Sequence, residues 1–96
     1  MGQNVRRRFV QTLRCLYALN PTEFADRARN IQGRERKYFS EDREGMTRPS
    51  NIGSSESPYW VETHCSTREK KGRLDEVMNN LGYSARMIQQ ATDKLR

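Results

Sequence analysis

The chain has 96 residues, of which 33% are hydrophobic and 31% are charged, and it carries a formal net charge of +6. This length allows one domain at most, with a thin core. Two cysteines, one histidine and no apolar stretch of about 20 residues argue against a disulfide framework, a four-ligand zinc site and a membrane span.

The positive charge is concentrated at the two ends of the chain. Residues 1–39 carry a balance of +6 and residues 68–96 a balance of +3, whereas residues 40–67 carry a balance of −3. Fourteen of the 18 basic residues are arginine, whose planar guanidinium matches phosphate geometry. This distribution favours DNA or RNA as the partner, while a basic surface that serves only solubility remains an alternative.

Residues 4–20, NVRRRFVQTLRCLYALN, predict an amphipathic helix, because apolar side chains recur on one face and the stretch contains no glycine, proline or acidic residue. Arg7 and Arg14 fall on the opposite face and Arg8 lies nearer its margin. Arg6 projects into the apolar arc near the start of the helix, from where its long side chain can reach solvent.

This first helix allows three interpretations. Its apolar face packs as the core of the domain, or its four arginines form a basic arm that docks on phosphates. In the third interpretation it is a mitochondrial targeting segment, since the first 22 residues carry four arginines and no acidic residue. The arginines of the basic arm are Arg6, Arg7, Arg8 and Arg14.

A second helix should begin at Pro21, with Asn20 as its N-cap, and end near Gly33. Two helices joined by a tight Asn-Pro turn form an αα-hairpin, which we assign to residues 1–39. The basic stretch RERKYF after Gly33 either prolongs the second helix or contacts phosphates. Its candidate phosphate ligands are Arg34, Arg36 and Lys37.

Residues 40–58 are rich in Ser, Gly, Glu and Pro and predict a flexible acidic linker. A connection of this length is uncommon inside a compact domain, so we expect two semi-independent halves. The second half, residues 59–96, opens with the aromatic cluster Tyr59-Trp60-Val61, which could form a short strand or an extended segment. Trp60 is the candidate anchor for a core or for a protein interface.

The C-terminal residues can form one long helix with a coiled-coil seam. Ser66 and Glu69 match a capping box that starts a helix. A heptad stripe follows, which would pair two copies of the chain. Its members are Leu74, Leu81, Ile88 and Leu95.

The same residues also predict two helices hinged at Gly82. Glycine costs about 1 kcal/mol inside a helix relative to alanine, and Ser84 is a good N-cap for a new helix. The two helices would then cover residues 67–80 and 85–95. The pattern favours this hinged pair slightly.

The hinged pair resembles the helix-turn-helix motif of DNA-binding proteins, on the apolar and small residues Val77, Met78, Leu81, Gly82, Ile88 and Ala91. The resemblance implies that the second helix contacts bases, and arginine and glutamine are side chains that bind guanine and adenine edges. The candidates are Arg86, Gln89 and Gln90. The same stretch is similar to the first two helices of a ubiquitin-associated domain, in which Leu81-Gly82-Tyr83 would form the binding loop.

We therefore predict a mainly α protein: an N-terminal αα-hairpin, a flexible acidic linker and a C-terminal helical segment. The favoured function is binding of DNA or RNA, with a homo-oligomer or a helical protein partner. The alternative is a protein interaction module that uses Trp60 and the C-terminal apolar stripe. We expect an intracellular protein, cytoplasmic or nuclear with mitochondrial as a further option, and no membrane association. One histidine and the lack of a glycine-rich phosphate loop argue against an enzyme, and we expect no cofactor.

Overall fold

The computed structural model describes residues 2–31 and 37–95. Within these residues the chain forms four helices and three short strands. Their bounds are α1 Gly2–Leu19, α2 Pro21–Ala28, β1 Phe39–Ser40, β2 Pro49–Asn51, β3 Trp60–Glu62, α3 Thr67–Asn80 and α4 Ala85–Asp93. No helix in the described ranges combines the length and the apolar character that crossing a membrane requires.

Side-chain caps fix where three of the helices begin. Asn20 lies directly before Pro21, and its side chain accepts a hydrogen bond from the backbone N–H of Glu23. The Ser66 side chain accepts from the backbone N–H of Glu69, and the Glu69 carboxylate accepts from the backbone N–H of Ser66, which completes the predicted capping box of α3. Ser84 accepts from the backbone N–H of Met87 at the start of α4. Each cap satisfies an N–H group that the helix itself leaves without a partner.

Gly82 separates α3 from α4, so the C-terminal segment is a hinged pair and not one long helix. Gly82 has φ +88°, a left-handed conformation that side-chain-bearing residues rarely adopt. The N–H of Tyr83 donates to the carbonyl of Met78 and the N–H of Gly82 donates to that of Asn79. This pair of hydrogen bonds is the Schellman arrangement, which ends a helix and turns the chain.

Replacing Gly82 with alanine should lower the free energy of unfolding by about 1 kcal/mol, because the left-handed conformation strains an L-residue. A Cβ at this position meets no atom within 4 Å, so the backbone angle alone sets the cost. Gly72→Ala is the matched control: it lies inside α3, also in open space, and should be neutral or stabilising. Chemical denaturation of the two variants measures both values, and equal effects would contradict this account.

The mainly α class predicted from the sequence is wrong, because β1, β2 and β3 form an antiparallel sheet and β2 lies within the segment that was assigned to a flexible linker. The strand order is β1-β3-β2. Phe39 lies opposite Val61, and Ser50 lies opposite Val61 on the other side. The aromatic cluster at Trp60, predicted as a short strand or an extended segment, thus lies in the central strand of a three-stranded sheet. The fold is therefore mixed α and β.

One apolar core joins the helices to the sheet. Phe9, Leu13, Phe24, Val61 and Leu74 are all almost fully buried in it. Ile52, which lies in the segment predicted to be a linker, is also buried. Aromatic rings connect the layers: Tyr17 stacks on Tyr59 with centroids 5.0 Å apart, and Phe24 meets Phe39 edge to face. The core therefore uses residues from both predicted halves.

The predicted heptad stripe packs inside the chain. Leu74, Ile88 and Leu95 are buried in the core, and Leu81 is half-buried against it. The turn at Gly82 folds α4 back onto α3, so that the apolar faces of the two helices meet the core instead of a second copy. As a correction, these four side chains do not form an exposed seam for assembly.

Candidate nucleic-acid interface

The exposed face of α1 is rich in arginine and contains no acidic residue. Arg7, Arg8 and Arg14 are exposed, and Arg6 is partly buried. This face exists because Val5, Phe9, Leu13 and Leu16 turn toward the core and leave the intervening positions to solvent. The apolar face of α1 packs in the core, as the first interpretation of this segment predicted. The arginines Arg7, Arg8 and Arg14 lie on the outside, where the second interpretation requires them.

A cleft runs between α1 and the edge strand β2, with a volume of about 530 Å³. We call it the α1–β2 cleft. Three of its side chains are arginines and none is acidic. The lining residues are Arg6, Arg7, Val10, Gln11, Arg14, Ser50 and Asn51. A concave surface lined by one sign of charge concentrates counter-ions of the opposite sign.

Two of these arginines are held in place by neutral partners on the sheet. The guanidinium of Arg6 donates to the hydroxyls of Thr63 and Ser50, each at 3.0 Å. That of Arg14 donates to the backbone carbonyl of Asn51 at 3.0 Å. Because the partners are uncharged, the positive charge of the cleft is not neutralised.

Glu62 and Thr63 hold β2 beside α1. The Glu62 carboxylate accepts hydrogen bonds from the N–H groups of Thr47, Arg48 and His64. Burial would raise the pKa of Glu62, but these N–H bonds outweigh it and hold the pKa below its usual value. The Thr63 hydroxyl donates to the carbonyl of Arg48 while it accepts from Arg6. The clamp on the chain before β2 therefore also fixes Arg6.

A second basic hollow of about 460 Å³ lies on the other flank of α1. We call it the α1–Lys94 hollow. Its lining residues are Arg8, Gln11, Thr12, Cys15 and Lys94. The Arg8 guanidinium donates to the backbone carbonyl of Lys94 at 3.0 Å. Neither hollow contains an acidic side chain in its lining, and both include Gln11.

The ion pairs of the described residues lie elsewhere. They join Arg27 to Glu23 within α2, Lys37 to Asp42, and Arg73 to Glu69 within α3. Among residues 4–31 and 37–95, none of these ion pairs, which have an N–O distance of at most 4.0 Å, includes an arginine of α1. Among the described residues, the hydrogen bonds of Arg6, Arg8 and Arg14 go to neutral oxygen atoms.

Not every basic residue adds to a binding surface. Lys70 is buried and donates to the carbonyl of Cys65. Arg73 is also buried, with its guanidinium 3.6 Å from the centre of the Tyr38 ring. The predicted phosphate ligand Lys37 is exposed but paired with Asp42 at 3.9 Å, and Arg34 and Arg36 lie outside the described residues.

The predicted base contacts lie on α4, away from the core. Arg86 and Gln90 are exposed, and the Gln89 amide donates to the Asp93 carboxylate at 2.8 Å. Trp60, the predicted protein anchor, is half-buried on β3, with the Arg43 guanidinium 5.2 Å from its ring centre. The structure therefore brings together the arginines of α1 and leaves α4 and Trp60 as separate features.

The sequence interpretation missed the neutral residues that shape the site. Ser50, Asn51 and Thr63 anchor the arginines. Gln11 could have been found, because helical spacing already placed it opposite the apolar face. The others depend on chain pairing that no local pattern encodes. Among the described residues, no group of three or more His, Cys, Asp or Glu side chains could hold a metal ion.

Comparison with known proteins identifies the family. Residues 2–94 match the family model described as the SeqA protein C-terminal domain. A protein of Idiomarina loihiensis named "Negative modulator of initiation of replication" is 34% identical over 99 residues, covering 97% of this chain and 60% of the relative. One of the same name from Ferrimonas balearica is 38% identical over 81 residues, covering 78% and 43%. The chain thus spans about half the length of these relatives.

The fold has a counterpart among solved structures. A crystal structure of V. cholerae SeqA superposes with a TM-score of 0.77 at 23% identity, covering 95% of this chain and 80% of the other. This likeness supports the mixed architecture of helices and a small sheet. The nuclear and mitochondrial alternatives gain no support, because the relatives are bacterial proteins. With a family model that covers almost every residue, the chain belongs to the SeqA C-terminal domain family.

Proposed function

We propose that this chain is a DNA-binding domain that takes part in restraining the initiation of replication, acting on the bacterial chromosome without catalysis. The printed name of its relatives supports the regulatory role. DNA is favoured over RNA, because replication initiates on DNA. The observation that carries the binding proposal is the set of α1 arginines, which have no carboxylate partner among the described residues.

In this proposal the phosphate contacts come from Arg6, Arg7, Arg8 and Arg14. Arg7 is exposed on the cleft, and the other three donate to neutral oxygen atoms, which a phosphate oxygen can replace or join. An arginine can bind a phosphate through two parallel N–H···O bonds, and the opposite charges attract each other. A phosphate is therefore a better acceptor for these guanidinium groups than the hydroxyl and carbonyl oxygen atoms they now contact.

Base contacts by Arg86, Gln89 and Gln90 of α4 stay a prediction, as do phosphate contacts by Arg34, Arg36 and Lys37. For α4, exposure of Arg86 and Gln90 supports the assignment. The protein interaction module is the weaker alternative, since the apolar stripe it requires is buried within this chain.

The affinity of the full chain for duplex DNA across salt concentrations tests the proposal. Each neutralised phosphate contributes a slope of about −0.9 to the logarithm of the affinity against the logarithm of salt. Four arginines therefore predict a slope of roughly −2 to −4, depending on how many engage. The probes are a duplex from a bacterial replication origin, a shuffled duplex of the same composition and a matched RNA duplex. No binding at about 50 mM salt, or a flat slope, would overturn the proposal.

A further inference from the structure

An apolar pocket of about 380 Å³ lies beside the carboxyl end of α1, against the turn that follows β2. Its lining is mostly carbon, from the side chains of Tyr17, Ala18, Pro21 and Ile52. Ligand sites in proteins are concave and mainly apolar, with a few polar groups that orient the ligand. The charged group in this lining is the guanidinium of Arg14.

Hydrogen bonds and ring stacking hold both walls of the apolar pocket in place. The Asn51 side chain accepts from the backbone N–H groups of Gly53 and Tyr59. It also donates to the carbonyl of Ser54, so the turn on one side is fixed. On the other side the Tyr17 ring stacks on Tyr59 with centroids 5.0 Å apart. A ligand therefore does not have to order these walls when it binds.

The apolar pocket continues into the α1–β2 cleft, because Arg14 lines both. Among the described residues, neither lining includes an acidic side chain. Arg7 lines the cleft seven residues before Arg14, about 10 Å away along the helix axis. The combined groove thus has an apolar end and a basic end. Its complement is a chain with an apolar side chain at one end and carboxylates beyond it.

We propose that this groove binds an acidic segment of a partner protein, with an aromatic or aliphatic anchor in the apolar pocket and carboxylates on Arg14 and Arg7. Along α1, Arg14 lies about 6 Å from Ala18 and Arg7 about 10 Å further. An extended chain rises about 3.3 Å per residue, so the acidic residues should lie about two and five positions from the anchor. A small aromatic acid reaches Arg14 alone, whereas a segment of this length also reaches Arg7.

A partner bound in this groove competes with DNA, because Arg7 and Arg14 are also the proposed phosphate contacts. The apolar pocket distinguishes the two ligands, since a phosphate backbone has no apolar side chain to place there. The partner would therefore control access of DNA to the α1–β2 cleft. This competition rests on the proposed function, whereas binding of the acidic segment does not.

A designed peptide tests the inference on the full chain. It is a capped eleven-residue peptide with phenylalanine at its centre, aspartates two and five positions to either side, and serine elsewhere. In an NMR titration without DNA, it should shift the amide signals of Ala18, Ile52 and Ser57 and saturate below about 1 mM. Replacing its phenylalanine with alanine should weaken binding about tenfold, and replacing its aspartates with asparagine should do the same.

Two variants of the chain locate the peptide. Ala18→Phe fills the apolar pocket from its exposed rim and should weaken binding about tenfold. Circular dichroism should show unchanged helicity. Its matched control is Leu19→Phe, at an exposed position outside the lining. Arg14→Gln should weaken binding about fivefold, whereas Arg8→Gln removes the same charge from the other hollow and should change it less than about twofold.

The outcomes separate this inference from the proposed function. Absence of peptide binding up to about 1 mM overturns the inference, as does equal binding of the asparagine peptide or an equal loss in either control variant. A dimer in sedimentation that Ala18→Phe dissociates would make a second copy the occupant instead. Saturating peptide should weaken the affinity for duplex DNA about tenfold, and undiminished affinity would show that the carboxylates lie outside the cleft. Absence of DNA binding by the unmodified chain overturns the proposed function alone.

Discussion

Replacing Arg7 and Arg14 with glutamine in the same chain is expected to weaken binding to duplex DNA roughly 50-fold at about 0.1 M salt. Both side chains line the α1–β2 cleft, and each phosphate contact releases a condensed counterion. Losing two contacts should also reduce the steepness of the salt dependence by about 1.8. A titration followed by fluorescence anisotropy at four salt concentrations measures the affinity and the slope together.

The matched control is Arg27→Gln with Arg29→Gln on α2, which removes the same net charge. Arg27 is paired with Glu23 at 3.8 Å, and both positions lie outside the two hollows. This control should change affinity only a few-fold, through the general field of the protein. If the α2 variant loses as much affinity as the α1 variant, net charge and not the cleft determines binding, and the α1 interface is wrong.

Replacing Glu62 with glutamine is expected to lower the free energy of unfolding at neutral pH by about 2–3 kcal/mol. The carboxylate accepts three backbone N–H groups and is only 5% exposed. The glutamine amide offers one oxygen, so at least one of these part-buried N–H groups faces another N–H donor. Urea denaturation of the two proteins at pH 7 measures the difference, and Glu56→Gln, at an exposed turn position, should cost almost nothing.

The cost of the Glu62 substitution should also depend on pH. Since the native pKa of Glu62 lies below its usual value of 4.5, the folded state favours the charged form. Its contribution is therefore fully present above about pH 4.5 and is lost as the pH falls through the native pKa. The stability difference between the unmodified chain and Glu62→Gln should shrink as the pH falls below about 4.5 and through the native pKa. A difference that stays constant over this range would show that the carboxylate charge does not matter.

Local signals predicted the helix starts well, although α2 ends at Ala28, before the predicted end near Gly33. Asn20 before Pro21, the Ser66–Glu69 capping box and Ser84 each start a helix in the structure as the sequence indicated. Gly82 stops α3 through its left-handed conformation. These features are decided by a residue and its neighbours within four positions, so a single sequence contains the necessary information.

The sheet could not be predicted from such signals. β1 and β2 contain two and three residues, too few to show the alternation that marks a strand. β2 begins with proline and continues with serine and asparagine, of which proline and asparagine are poor strand formers. The strand β2 exists because it pairs with β3 and because Glu62 holds the chain before it, across the intervening residues 52–59. The polar composition of this segment therefore indicated a linker.

The candidate interface was predicted in part. The amphipathic pattern placed Arg7, Arg8 and Arg14 outside, and the structure has them exposed. Arg6 looked misplaced on the apolar side, but hydroxyl groups on the sheet give it two hydrogen bonds there. The heptad stripe was misjudged as an assembly seam, because periodicity reports which residues are buried and not whether their neighbour belongs to the same molecule.

The central position of β3 has a consequence for synthesis on the ribosome. β1 and β2 do not pair with each other, so neither can find its partner until residues 60–62 have emerged. Helices α1 and α2 precede the sheet in the chain and form from local contacts. During that interval Arg6 lacks Thr63 as an acceptor, and β2 has no central strand to hold it beside α1. The ordered positive surface of α1 and β2 therefore forms only after Thr63 has been synthesised.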